Sequence, residues 1–380
     1  MRGLRATRFI HEADEPRALS PLPYSPYSPY SPYSIVARAP LRVSFGGGGT
    51  DLAAYYERFG GFVVSAAITR YCYAVASDPA EGGIELNSAD YRVWERQPAG
   101  SPPAVAEPLA LPKAAIEWFW PRGLAAAGVQ LFTAAEVPPG SGLGSSSAMA
   151  VALIRALAAR TGTVLAPAEV AELACRLEIE RLAHPIGKQD QYASAHGGLN
   201  AIEFRAGGVT VTPLPLAAET LAALSERLLL FSTGRTHDSA AILRRQRADT
   251  SGKPAVTAAL HRIKELAWEM REALLVADLD RFGRLLDFAW QEKRQLSGKV
   301  SSPEIDAWYA AAREAGALGG KITGAGGGGF LLLYCRPSAR EAVRRALTRL
   351  GLHELGFGFD REGARVLAGA DMPAVAGLPA

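Results

Sequence analysis

Alternating apolar and polar positions predict a series of β-strands that begins at residue 35. Residues 35–38 and 41–45 alternate with the period of a strand. Residues 62–76 and 84–94 are rich in β-branched and aromatic side chains, which favour extended backbone. Further strands are predicted at 129–137, 199–204, 209–211, 228–231, 318–322, 330–335, 353–359 and 364–367.

Helical periodicity dominates the second half of the chain. Between 255 and 276, apolar residues recur every three or four positions and form one face, with Leu260, Ile263, Ala267, Met270 and Leu274. Helices are predicted at 51–58, 113–120, 147–160, 167–183, 237–248, 255–276, 278–296, 303–315 and 338–350. Strands and helices do not alternate regularly, so the pattern predicts an α+β fold, divided near 215–225 into domains 35–219 and 220–370.

Residues 1–34 differ from the rest of the chain. Tyr-Ser-Pro repeats from Tyr24 to Pro32, and proline at every third position favours polyproline II and forbids a helix. We predict a disordered tail. An inert extension or a misassigned start codon explains it most simply, and a docking or phosphorylation segment is the alternative.

Composition narrows the class of protein. The 380 residues are 48% hydrophobic and 21% charged, which excludes disorder over the whole chain. A net charge of +3 gives no reason to expect nucleic-acid binding. Three scattered cysteines do not form a disulfide framework, and no apolar run reaches the ~18 residues of a membrane helix. Acidic residues follow the basic start where a signal peptide would be apolar, so we expect a cytoplasmic protein with no membrane partner.

The most informative segment is 136–148, where a strand enters a glycine- and serine-rich turn and a helix leaves it. Its glycines allow the backbone to approach a ligand closely. The serines 145–147 stand at the helix start, where free N–H groups favour phosphate and hydroxyls can ligate Mg²⁺. No Gly-Lys-Ser/Thr closes the loop, so it is not a Walker A motif. An ordinary capping loop is the alternative.

Two further glycine runs flank this segment in the sequence. Residues 321–330 contain G-x-G-x-x-G, but a strand follows where a dinucleotide-binding motif needs a helix, so a hairpin beside an active site fits better. In 39–52, Arg42 can offer a planar charge to phosphate and Asp51 can accept hydrogen bonds from sugar hydroxyls. Taken alone, Asp51 is more simply a helix cap.

Carboxylates occur on both sides of a chain break at Pro185 and Gly187. Glu180 and Asp190 can converge across this loop, one on a metal ion and one on a substrate hydroxyl. Glu178 is interpreted as a solvated helix residue. The six histidines show no metal-ligand spacing.

Three of these segments, in this order, resemble the GHMP kinase superfamily. They are Ala-Pro-Leu-Arg at 39–42, Pro-Pro-Gly-Ser-Gly-Leu-Gly-Ser-Ser at 138–146 and Lys-Ile-Thr-Gly-Ala-Gly-Gly-Gly-Gly at 321–329. The resemblance spans about 35–368. It implies a two-domain fold, with an N-terminal ribosomal-protein-S5-like α/β domain that binds ATP and a C-terminal ferredoxin-like α+β domain.

Within the superfamily, the strings at 39–52, 61–68, 187–192 and 321–330 look like those of the D-glycero-D-manno-heptose 7-phosphate kinases. This resemblance implies an ATP- and Mg²⁺-dependent enzyme that phosphorylates the anomeric C1 hydroxyl of that sugar. Fucokinase-like members share parts of these strings, so a kinase for fucose or another free sugar is the first alternative. A non-catalytic regulator that binds sugar and ATP is the second.

The resemblance also implies roles for individual residues. Asp190 would accept or orient the proton of the attacking hydroxyl, and Arg42 would hold Asp190 ionised and stabilise the transferring phosphoryl group. Ser146 and Glu180 would ligate Mg²⁺, with Ser145 as a further candidate. The nucleotide phosphates would lie against Pro139, Gly140, Ser141, Gly142, Leu143, Gly144, Ser145, Ser146 and Ser147. The sugar would contact Gly48, Gly49, Thr50, Asp51, Lys188, Gln189, Gly324, Gly326 and Gly327.

A substrate that carries a 7-phosphate requires a second anion site. Arg235, Arg244 and Arg245 are the candidates in the sequence, and a solvated surface charge is the simpler interpretation of each. The expected partners are the sugar phosphate and ATP, and the resemblance also allows a homodimer.

Overall fold

The computed structural model describes residues 34–235 and 239–368. Apart from Ser34, the predicted Tyr-Ser-Pro tail lies outside the described residues, as does the start of the helix predicted at 237–248. In the described ranges, no helix combines the length and apolar character that crossing a membrane requires. Cys72, Cys175 and Cys335 form no disulfide, as predicted, and all three are buried.

Strands occur at nearly all predicted places. Their bounds are β1 (Ile35–Gly46), β2 (Gly61–Ser77), β3 (Ile84–Ser88), β4 (Val93–Gln97), β5 (Val129–Ala135), β6 (Leu199–Arg205), β7 (Gly208–Pro213), β8 (Leu228–Ser232), β9 (Ala317–Ile322), β10 (Phe330–Cys335), β11 (His353–Glu354) and β12 (Arg365–Ala368).

Helices cover the predicted ranges and add several short ones. Their bounds are α1 (Ala53–Phe59), α2 (Ala110–Phe119), α3 (Leu124–Ala127), α4 (Ser145–Thr161), α5 (Pro167–Cys175), α6 (Gln189–His196), α7 (Ala218–Arg227), α8 (Ser239–Gly252), α9 (Pro254–Leu275), α10 (Leu279–Arg294), α11 (Pro303–Glu314) and α12 (Pro337–Arg349). The strand order and the helices together give the α+β architecture expected from the sequence.

The first sheet is built around the long antiparallel pair β1 and β2. Its strand order is β12-β1-β2-β5-β3-β4, and β6, which carries β7, also pairs with β2. One end of β2 pairs with β6 from Gly61 to Ala66, and the other end pairs with β5 from Cys72 to Ser77. The length of β2, 17 residues, is what lets one strand join both parts of the sheet.

Helix α4 packs against β1 and β2 and carries the middle glycine segment at its start. Small and aliphatic residues fill its buried face, among them Ala148, Val151, Ala152 and Leu153. Small side chains allow the helix backbone to come close to the sheet, where burial of apolar surface stabilises it. The packing therefore holds the first turn of α4 against the end of β1.

The second sheet has the order β11-β8-β10-β9 and is antiparallel throughout. Helix α10 crosses it so closely that two glycines are required. A Cβ on Gly319 would come within 2.1 Å of the carbonyl oxygen of Gly283, and a Cβ on Gly283 would come within 2.3 Å of the Tyr334 ring. This contact fixes α10 on β9, next to the third glycine run.

The chain returns to the first sheet at its end. Phe359 bridges to Ile68, and β12 pairs with β1 through Ala37 and Val366. The domain division predicted from the sequence assigns Phe359 and β12 to the C-terminal domain. The strand predicted at 353–359 is shorter than expected because the chain leaves β8 after Leu355 to reach the first sheet.

The region predicted as one strand at 84–94 is a hairpin of β3 and β4. Its turn is fixed by Asp90, whose carboxylate accepts a hydrogen bond from the Ala135 backbone at 3.2 Å, and by Arg92, which has a φ of 53°. Helix α6 was not predicted, because its eight residues are too few to show a clear apolar period.

We predict that Gly319→Ala lowers the free energy of unfolding by about 1 to 3 kcal/mol, because the new methyl group must displace the backbone of α10. Urea unfolding followed by circular dichroism measures the change. Gly298→Ala is the control, since a Cβ there meets nothing within 4 Å. Equal stability of the two variants would show that α10 and β9 can separate without cost.

Candidate active site

The three glycine-rich segments meet around one cavity of about 290 Å³, here called the central cavity. It lies where the end of β1, the start of α4 and the loop between β9 and β10 come together. The predicted site residues that line it are Arg42, Gly48, Gly49, Asp51, Gly140, Gly142, Gly144, Ser145, Ser146, Ser147, Gln189, Asp190 and Gly324.

Arg42 and Asp190 form a two-pronged ion pair at the wall of this cavity. The Arg42 Nε and Nη2 atoms donate to the two carboxylate oxygens of Asp190 at 2.7 and 2.6 Å. The Nη1 atom donates to the carbonyl of Gly142 at 2.7 Å, and the Arg42 backbone N–H donates to Leu143. The Arg42 side chain is 4% exposed and that of Asp190 is 23% exposed, so the carboxylate keeps access to the cavity.

Three glycines with positive φ shape the turn before α4. Gly140, Gly142 and Gly144 have φ values of 73°, 76° and 76°. A Cβ on Gly144 would come within 3.2 Å of Asp190, and one on Gly142 within 2.7 Å of Thr323, so glycine is required for close packing as well as for backbone conformation. The first N–H groups of α4 have no partner within the helix, and its positive dipole end faces the cavity.

Glu178 is the carboxylate that meets the serines of this turn. Its Oε1 accepts a hydrogen bond from the Ser146 hydroxyl at 2.6 Å, and its Oε2 accepts one from the Gln191 side chain at 2.7 Å. It is completely buried, and burial raises its pKa to about 7, partly offset by these hydrogen bonds. The interpretation of Glu178 as a solvated residue is therefore wrong.

Glu180, predicted as the metal ligand, is exposed and does not line the cavity. The physical reason is the backbone of Arg176–Arg181, which is π-helical. A π turn holds more residues than an α turn, so it changes which side chains face inward. The sequence predicted a regular helix at 167–183 and did not indicate this π-helical segment. We assign the inward position to Glu178.

Asp51 lies on the side of the cavity formed by the first glycine run. Its carboxylate accepts hydrogen bonds from the backbone N–H groups of Gly49 at 2.9 Å and Gln189 at 3.3 Å. Burial raises the pKa of Asp51, and the nearby charge of Asp190 raises it further. This carboxylate and the N–H groups around it form a polar part of the cavity wall.

Several residues predicted to bind substrate or nucleotide do not line the central cavity. The Thr50 hydroxyl is buried 2.7 Å from the Gly47 carbonyl, and Lys188 pairs with Glu172 at 3.1 Å. Four others pack against backbone or core. These are Ser141, whose hydroxyl accepts from Leu143, Leu143 in the core, and Gly326 and Gly327, which lie against Val300.

Two lysines that were not predicted as site residues also line the central cavity. Lys321 on β9 donates to the carbonyls of Ser44 at 2.9 Å and Phe45 at 3.2 Å, and burial lowers its pKa to about 7. Lys293 on α10 donates to the carbonyls of Ile322 and Gly324, and burial lowers its pKa well below the ordinary value. Two signals for these lysines were present in the sequence. One lysine interrupts the apolar pattern of 278–296, and the other opens the third glycine run.

The arginines predicted for a second anion site do not reach the cavity. Arg235 is exposed and lies 3.5 Å from Glu304, and Arg245 pairs with Asp249 at 3.0 Å. Arg244 is exposed as well, and none of the three lines the central cavity.

A second pocket of about 200 Å³, here called the side pocket, opens beside the start of α4. Much of its wall is apolar, with Leu109, Val137 and Met149, and Tyr91 and Pro139 also contribute. The two cavities share Gly140, Ser145, Ser146 and His184. The two cavities therefore adjoin each other at the start of α4.

Family comparisons agree with this arrangement. The family described as GHMP kinases N terminal domain matches residues 110–198, and that described as GHMP kinases C terminal matches residues 270–352. The chain is 31% identical to a D-glycero-alpha-D-manno-heptose 7-phosphate kinase of Campylobacter jejuni, over 87% of this chain and 98% of that protein. It is 28% identical to an L-fucokinase/L-fucose-1-P guanylyltransferase of Bacteroides fragilis, over 82% of this chain and 36% of that protein.

Solved structures show the same fold. A D-glycero-D-manno-heptose 1-phosphate kinase of Bacteroides thetaiotaomicron superposes with a TM-score of 0.74 at 28% identity, covering 88% of this chain and 99% of that one. The galactokinase of Lactococcus lactis, solved with galactose, superposes with a TM-score of 0.69 at 19% identity, covering 88% of this chain and 95% of that one. At that identity, the second likeness concerns the fold alone.

We predict that Glu178→Gln stabilises the protein, more at pH 8 than at pH 5. The folded pKa of about 7 exceeds the ordinary 4.5, so Glu178 costs stability increasingly as the pH rises from about 4.5 through 7. Glutamine keeps the shape without the charge and should add about 1 to 3 kcal/mol to the free energy of unfolding at pH 8.

Urea unfolding at both pH values is the measurement, and Glu180→Gln is the control because Glu180 is exposed. A loss of stability in Glu178→Gln at pH 8 would contradict the cost assigned to the buried charge.

Proposed function

Because the chain belongs to the GHMP kinase family, we propose that it is an ATP- and Mg²⁺-dependent sugar kinase that phosphorylates the anomeric C1 hydroxyl of D-glycero-D-manno-heptose 7-phosphate. One observation carries the proposal. The ion pair of Arg42 with Asp190 and the hydrogen bond of Ser146 with Glu178 line one cavity, next to the positive end of α4.

Asp190 is the group that takes the proton of the attacking hydroxyl. The hydroxyl oxygen forms a bond to the γ-phosphorus of ATP, the bond from that phosphorus to the β–γ bridging oxygen breaks, and the proton passes to a carboxylate oxygen of Asp190. Arg42 orients this carboxylate through two hydrogen bonds and adds positive charge beside the transferring group. Phosphoryl transfer depends mainly on such positioning and charge neutralisation.

ATP would lie across both cavities. Its phosphates fit the turn of Gly140, Gly142 and Gly144, where N–H groups and the helix dipole favour anions. Its base fits the side pocket, where Leu109, Val137 and Met149 supply apolar surface. Ser145 and Ser146 line both cavities, which supports this placement.

Ser146 and Glu178 fit a magnesium ion. A hydroxyl and a carboxylate are the hard oxygen ligands that Mg²⁺ prefers, and a fully buried carboxylate with a raised pKa gains from a cation. Among the described residues, no group of three or more histidine, cysteine, aspartate or glutamate side chains is suited to a metal ion, so ATP and water would complete the coordination. When bound, Mg²⁺ would neutralise phosphate charge.

The heptose 7-phosphate is supported by the relative in Campylobacter jejuni, which matches over nearly its whole length. A kinase for fucose is the competing proposal, because the fucokinase relative matches over 82% of this chain. The two proposed substrates differ because heptose 7-phosphate brings a phosphate of its own into the site and fucose does not. The cytoplasmic location and the homodimer stay predictions.

We predict that Asp190→Asn lowers kcat by about 10² to 10⁴ while the Kd for ATP changes little, because the amide cannot take the proton. A coupled ADP assay and nucleotide titration measure the two quantities. Asp249→Asn is the control, an aspartate that pairs with Arg245 and Lys253 away from the central cavity. Unchanged turnover in Asp190→Asn would remove Asp190 from the proposed chemistry.

For the substrate, we predict ADP release that requires both Mg²⁺ and sugar, with the highest kcat/KM for heptose 7-phosphate in a panel that includes free heptose and fucose. Product analysis should place the new phosphate at C1. Preference for a free sugar would favour the fucokinase-like alternative, and no turnover with any sugar would refute the kinase proposal.

A further inference from the structure

Lys293 and Lys321 form a pair of buried ammonium groups beside the central cavity, here called the lysine pair. Lys321 comes from β9 and Lys293 from α10, and both line the cavity. Lys293 is 8% exposed and Lys321 is 5% exposed. Such burial is rare for lysine unless its charge is paired.

Neither ammonium group has an anionic partner. Among the described residues, neither lies within ion-pair distance of a carboxylate, and each donates only to two backbone carbonyls. An ammonium group has three N–H donors, so each lysine keeps one donor that its carbonyl partners do not use. The lowered pKa values agree with charges that lack a partner.

The backbone partners of the lysine pair lie in or next to the glycine runs that the sequence predicts to contact the sugar, since Lys321 donates to the carbonyls directly before the first run and Lys293 donates to that of Gly324. Asp51 and Arg42 both act on Lys293 and Lys321 through their charges. Asp51 already accepts hydrogen bonds from the backbone of Gly49 and Gln189.

We propose that the lysine pair binds the phosphate that the sugar substrate already carries, remote from the reacting hydroxyl, and so selects phosphorylated sugars over free ones. This inference rests on the proposed sugar kinase function. A phosphate has several acceptor oxygens and would use the spare donor of each lysine, which adds charge-assisted hydrogen bonds that a free hydroxyl cannot match. The exposed arginines of 235–245 give no comparable site, since none lines the cavity.

A purely structural role is the rival explanation. The lysines would then only hold the glycine runs, because Lys321 reaches the carbonyls before the first run and Lys293 reaches those of the third. That role predicts that removing a lysine lowers stability and lowers turnover equally for all sugars. The proposed role predicts a loss confined to the phosphorylated sugar.

The test compares Lys293→Met, Lys321→Met and the wild-type enzyme with heptose 7-phosphate and with the unphosphorylated heptose. We expect each variant to raise KM for the phosphorylated sugar by about tenfold to a hundredfold. KM for the free heptose should stay within about twofold. Lys299→Met is the matched control, because Lys299 is exposed and does not line the cavity.

Thermal unfolding supplies a second measurement without ATP. The wild-type protein should gain stability from heptose 7-phosphate, and the two variants should lose most of that gain. Methionine removes the buried amino group and also its two hydrogen bonds to carbonyls, so the quantity to compare is the gain on adding heptose 7-phosphate and not the unfolding temperature of the unliganded variant. Lys293→Gln provides a further variant if a methionine form does not fold.

The outcomes separate the two proposals. Equal losses on both sugars, or wild-type binding of heptose 7-phosphate by the variants, would overturn the role of the lysine pair while leaving the kinase function intact. Absence of ADP release by the wild-type enzyme with every sugar would instead refute the proposed function.

Discussion

The ion pair of Arg42 with Asp190 is the contact on which the site depends. Arg42 lies on β1 and Asp190 lies in the first turn of α6, and the same guanidinium donates to the carbonyl of Gly142 in the turn before α4. A nearly buried guanidinium must keep these partners, because removal of one would leave a charge without compensation. One side chain therefore fixes the distance between the proposed proton acceptor and the proposed phosphate turn.

The rest of the site holds charges that burial disfavours. Burial raises the pKa of Glu178 and Asp51 and lowers that of Lys293 and Lys321, so carboxylates and ammonium groups are shifted in opposite directions. Such an arrangement costs stability in the unliganded protein. In the proposed function, the magnesium ion and the phosphates of both substrates provide the missing opposite charges, so the same burial that destabilises the free site favours binding.

The two sheets cooperate in building this environment. The first supplies Arg42 and, through α4, the serines, and the second supplies Lys321 and the third glycine run. Lys321 crosses between them, since its ammonium group binds the carbonyls of Ser44 and Phe45 at the end of β1. Gly142 and Thr323 are also in contact, where a side chain on the glycine would separate the two glycine-rich turns. The close approach of these turns is what encloses the central cavity.

The sequence by itself determined the parts that depend on local pattern. Periodicity predicted most strands and helices, the glycine runs marked the close approaches, and the motifs at 39–42, 138–146 and 321–329 identified the family. Tertiary structure decided the rest. The π turn at 176–181 made Glu178, and not Glu180, the inward carboxylate, and the final strand joined the first sheet. The lysine pair comes from a helix and a strand that only folding brings together. A linear pattern reports the preference of a segment, whereas burial and partner choice arise from contacts between residues far apart in the chain.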